Sequence, residues 1–73
     1  MVGNKHIAKQ ISDLMLEYGA KLDNSIVLVM ENCPEAEFER YRLATAKVLA
    51  EMLLEVMNPL YAEHPDLKPA GLR

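Results

Sequence analysis

From Glu35 to Asn58 the chain contains neither Gly nor Pro. These about 24 residues can form one helix roughly 36 Å long at 1.5 Å each. On a wheel of about 100° per residue the segment carries two apolar stripes on nearly opposite sides. Phe38, Tyr41, Val48, Leu49, Met52, Val56 and Leu60 make the first, with Thr45 in its middle. Leu43, Ala46, Ala50, Leu54, Met57 and Tyr61 make the second, and a strip of Arg40, Lys47, Glu51 and Asn58, edged by Glu37 and Glu55, lies between. A surface helix needs one apolar stripe, whereas two faces require two neighbours. This long helix therefore fixes the fold class as all-α and predicts that something beyond one partner helix covers it.

One partner helix precedes it. Ile7, Ile11, Leu14, Met15, Tyr18 and Leu22 recur at helical spacing and predict a helix over residues 5–22, capped by Asn4 and stopped by Lys21-Leu22-Asp23-Asn24-Ser25. Gly19 lies inside it, at about 1 kcal/mol relative to Ala, and allows a close approach. Leu16 points away from the stripe. The next segment, Ile26-Val27-Leu28-Val29-Met30, has no period and is β-branched. It reads either as a buried strand or as a short connecting helix capped by Asn24 or Ser25, and with no second strand candidate the helix is the better reading. Asn32-Cys33-Pro34-Glu35-Ala36-Glu37 then opens the long helix with a capping residue, a first-turn Pro and carboxylates at the positive end of the dipole.

Pro59 predicts a kink, or a restart with Asn58 as cap, and His64-Pro65 ends the helical run. The organisation expected is thus a tail over 1–4, one helical domain over 5–64 and an extended tail over 65–73, anchored by Leu67 if it packs back. The segment from Asn58 to Pro69 closes the open end of the helix pair or presents a peptide to a partner.

A domain of 73 residues buries only about 60% of the surface of its unfolded chain, yet 51% of the residues are apolar. The simplest closed solution is a helical hairpin, two main helices and a short connecting helix, that pairs into a four-helix-bundle-like homodimer. The predicted interface is Leu43, Ala46, Ala50, Leu54, Met57 and Tyr61, with Ala46 and Ala50 letting two spines approach.

The chemistry-bearing residues form no recognisable site. His6 and His64 lack ligand spacing, so neither a metal nor a cofactor is expected. Glu51 and Glu55, or Glu35, Glu37 and Glu39, could act as acid–base pairs, but Lys47 with Glu51 and Glu39 with Arg42 read better as solvated helix pairs. Cys33 is a nucleophile at a helix start or, more simply, a small apolar residue at a junction. Arg40, Arg42 and Lys47 share their helix with glutamates, and the net charge is −3, which excludes nucleic acid as a natural partner. Met15, Met30, Met52 and Met57 serve as core filler before adaptable binding surface.

A single Cys fits a reducing, cytoplasmic setting. The first residues do not read as a signal peptide, and the longest apolar run, Ile26 to Met30, is far below the roughly 20 residues that span a bilayer. In layout alone the chain is similar to small dimeric helical-hairpin immunity proteins that neutralise bacterial toxins, and no residue role is carried over. Two function classes follow. One is a dimeric interaction module, an adaptor, regulator or inhibitor without catalytic activity that binds itself and another protein. The other is a ligand-binding or catalytic subunit with a site between chains near Cys33, Tyr41 or His64.

Overall fold

A computed structural model describes residues 1–70 of the chain. Asn4 opens the first helix: its backbone is extended and its Oδ1 accepts the Ile7 amide at 3.1 Å, which satisfies one of the donors that a helix start leaves free. From there α1 runs without interruption over Lys5–Asn32. The expected end at residue 22 and the separate connecting helix after it are both corrected. Ser25, read as a stop signal, is absorbed: its hydroxyl donates to the Leu22 carbonyl at 2.6 Å and, with that proton used, accepts from the Tyr41 hydroxyl at 2.7 Å. Leu22, Ile26 and Val29 then continue the packed face at spacings of four and three. Packing on that face outweighs the strand propensity of the β-branched run, so Ile26 to Met30 is helical and no strand occurs among the described residues.

The stop comes from Pro34. Its ring disfavours helical backbone in the preceding residue, and Cys33 is extended at φ −128 and ψ 159. Asn32 therefore closes α1, its side-chain amide donating to the Leu28 carbonyl at 2.8 Å, rather than capping the second helix. A two-residue turn leads into α2, Glu35–Glu51, where the Pro34 carbonyl accepts the Glu37 and Phe38 amides at 3.0 Å each.

The rod then changes winding. Met52–Met57 forms a π turn, in which the Asn58 amide donates to the Leu53 carbonyl five residues back. Pro59 lies just beyond, with no N–H to offer the Glu55 carbonyl and a ring that crowds it; a wider turn relieves both problems. Asn58 stays helical at φ −62 and ψ −48, so the chain does not restart there. A short helix, α3, covers Asn58–Glu63, and a 3-10 turn follows over Pro65–Leu67, in the tail that the sequence reads as extended or turn-like. The last three positions of that tail, 71–73, lie outside the described residues.

The result is an antiparallel hairpin, α1 against the continuous rod of α2, π turn and α3. On the rod the inward residues are Phe38, Tyr41, Thr45, Leu49, Met52, Val56 and Leu60, the expected first stripe without Val48, which is exposed. On α1 the seam is rotated from its expected position. Ala8, Ile11, Ser12, Met15, Gly19 and Leu22 face the rod, while Ile7, Leu14 and Tyr18 are exposed. Small residues at 8, 12 and 19 bring the backbones together and displace the larger side chains to the flank.

The buried hydrophobic cluster of Ala8, Met57, Leu60 and Tyr61 sits at the open end of the hairpin, with Val2, Ile11, Met15, Leu53 and Leu67 packed on it. Residues on both sides of the helices close this end. The His64 Nε2–H donates to the Val2 carbonyl at 2.7 Å, the amino terminus pairs with Glu63 at 3.3 Å, and Lys5 pairs with Asp66. Towards the turn at Cys33 the seam is thinner: Leu22, Ile26, Val29, Phe38 and Tyr41 are only half-buried.

Candidate protein-interaction surface

Two helices share one seam, so a hairpin leaves both of its broad faces open. The chain measures 45 × 19 × 16 Å with a radius of gyration of 14.4 Å, against about 11 Å for a compact domain of this length. Its accessible surface is 5212 Å², where a folded monomer of this mass exposes about 4500 Å². Much of that surface is aliphatic. Leu16, Val27, Leu28 and Met30 of α1 and Leu43, Val48 and Leu54 of the rod are all exposed.

One face carries a groove of about 390 Å³, lined by Met15, Leu16, Gly19, Ala20 and Asp23 from α1 and by Leu49, Met52, Leu53 and Met57 from the rod. Asp23 is its one charged lining residue. Leu16, Ala20, Asp23, Val27 and Met30 follow each other on α1 at spacings of four and three, which makes them one row beside the seam. With the helix ended at residue 22, Leu16 could not be joined to Val27 and Met30, and the row was illegible in the sequence. Across the groove, Ala46 and Ala50 adjoin Leu49 and Leu53 at helical spacing, so the apolar surface continues onto the rod.

The six residues of the expected interface divide. Leu43 and Leu54 are exposed at 54% and 59%, and Ala46 and Ala50 are exposed with them. Met57 and Tyr61 are not: at 7% and 5% they belong to the chain's own core. The π turn is the physical reason. Rows at four-residue spacing drift by about 40° per step on an α-helix, and the wider turn over Met52–Met57 cancels part of that drift, carrying both residues round to face α1.

The remaining candidates are scattered. Cys33 is exposed at the turn rather than packed into the junction. His6 contacts the Gln10 amide at 3.2 Å, about the length of α1 away from Cys33, while His64 is buried against Val2. Among the described residues no three His, Cys, Asp or Glu side chains gather at one point. Neither Cys33, Tyr41 nor His64 lines the groove. Glu39 and Arg42 pair at 2.8 Å, Lys9 and Asp13 at 3.0 Å, and Glu17 and Lys21 at 3.1 Å, all on the surface, where such pairs add a few tenths of a kcal/mol each. Lys47 and Glu51, expected to pair, do not reach each other. At the open end the Lys5 ammonium holds the Asp66 carboxyl below its ordinary value of 3.8. No helix among the described residues is long and apolar enough to cross a membrane. The chain matches no protein-family model, no curated protein and no solved structure in the comparisons made.

Proposed function

We propose that the protein is a homodimeric interaction module: the open apolar face of the hairpin pairs with a second copy, and the dimer, a four-helix arrangement, binds another protein as an adaptor, regulator or inhibitor rather than catalysing a reaction. The supporting observation is the imbalance between core and surface. The buried hydrophobic cluster holds four residues, Ala8, Met57, Leu60 and Tyr61, while Leu16, Val27, Met30, Leu43 and Leu54 lie open to solvent. Patches of that kind on soluble chains mark association surfaces. The excess surface, about 700 Å², is close to the roughly 800 Å² that each partner buries in a stable interface. A lone exposed thiol suits a reducing compartment and supports a cytoplasmic setting for the module.

The test is sedimentation of the wild-type chain and of the double variant Ala50→Glu with Leu54→Glu. Wild type is expected to sediment as a dimer and the variant as a helical monomer by circular dichroism. A monomeric wild type, or a variant that stays fully dimeric, overturns the assignment.

A further inference from the structure

We propose that the second copy docks antiparallel to the first, about a two-fold axis that crosses the long helix at the level of Val48. The inference rests on the homodimer reading above and specifies its geometry.

Two observations lead there. The first is a self-complementary row. Leu43, Ala46, Ala50 and Leu53 follow at spacings of three, four and three, so the set reads the same in both directions about residue 48. A two-fold interface brings the same patch of each copy together. Reversing the helix direction about residue 48 sets Leu43 against the partner's Leu53 and Ala46 against the partner's Ala50, with large side chains flanking a close approach at the alanines.

The second is where that centre lies in the hairpin. Gly19 faces Leu49, with a Cβ built on Gly19 coming 4.0 Å from Leu49 Cδ2. The midpoint of Lys5–Asn32 also falls at Tyr18 and Gly19. An axis at this level therefore crosses both helices near mid-length and overlaps the two hairpins along nearly their whole 45 Å, enough for an interface of standard size.

A bundle with both turns at one end instead sets the rod against the partner's α1 and loses this self-matching row.

Cys33, the one thiol and exposed at the turn, supplies the ruler. About 15 residues separate it from the axis, so spin labels on the two Cys33 side chains should be ~45 Å apart by pulsed dipolar spectroscopy. Dimers with labels closer than about 30 Å overturn the antiparallel arrangement while leaving the homodimer standing; a chain monomeric in sedimentation overturns the homodimer itself.

Discussion

The hydroxyls of Ser12 and Tyr61, 49 residues apart in the chain, meet at 2.5 Å inside the hairpin core. Ser12 is 2% exposed and Tyr61 5%, so each is the other's replacement for water. The contact joins α1 to α3 at the open end and fixes the relative register of the two helices there, since a one-turn slip would bury both hydroxyls without partners.

Removing either hydroxyl therefore strands the other. Tyr61→Phe and Ser12→Ala should each lower stability by about 1–2 kcal/mol, the cost of a buried polar group without a partner. The double variant should lose less than the sum of the two, with a coupling of about 1 kcal/mol in urea unfolding at one fixed protein concentration. Additive losses would show that the contact contributes nothing to stability.

Leu60 has no exposed surface, whereas Leu43 is more than half exposed. Leu60→Ala should cost about 2–5 kcal/mol, a large part of the roughly 4–11 kcal/mol that a chain of this length has in total. Leu43→Ala should change the unfolding of the isolated chain by less than about 0.5 kcal/mol and act on self-association instead. Dilution-series melting separates the two effects, because only the second depends on concentration.

Gly19→Ala should stabilise the hairpin by about 0.5–1 kcal/mol. Gly19 lies in the interior of α1, where glycine is the worse helix former. The added methyl would make ordinary contact with Leu49 at 4.0 Å rather than a clash. A destabilised variant would mean that the two helices pack closer at this level than the structure has them.

How far the sequence reveals this arrangement depends on which residues carry it. The rod's inward stripe is legible because Phe38, Tyr41, Leu49, Met52, Val56 and Leu60 are large and periodic. The seam of α1 is not, because Ala8, Ser12 and Gly19 are small and carry little hydropathy, while the larger Ile7, Leu14 and Tyr18 draw a cleaner stripe on the wrong flank. The length of α1 is hidden for a different reason. Asp23, Asn24 and Ser25 have every local mark of a stop, and only a hydroxyl on the other helix, that of Tyr41, shows why the helix passes through them. Of the groove, Leu49, Met52 and Met57 could be placed on apolar rows in advance, but their pairing with Leu16 and Ala20 needed the register.

Asp66 adds a response to acid. Its folded carboxyl titrates below the ordinary 3.8, chiefly because of the hydrogen bond from Lys5. A group lowered on folding stabilises the native state above its unfolded value, and that contribution disappears as the pH falls through the lower folded value. Thermal midpoints of the wild type should thus fall as the pH drops below about 4, and Lys5→Gln should flatten that part of the profile by removing the partner. An unchanged slope in Lys5→Gln would assign the acid sensitivity to other carboxylates.

The π turn over Met52–Met57 behaves as a frameshift in the helix's surface code. Before it, the row holding Leu43, Ala46 and Ala50 is addressed to the outside world; after it, the continuation of the same row, Met57 and Tyr61, is delivered to the chain's own interior. Winding all six residues as a regular α-helix would restore the original frame and swing Met57 and Tyr61 towards the outer face, whereas deleting one residue from the turn would leave Tyr61 facing Ser12. The single surplus residue thus sets where along the rod an outward-facing row gives way to closure of the chain on itself.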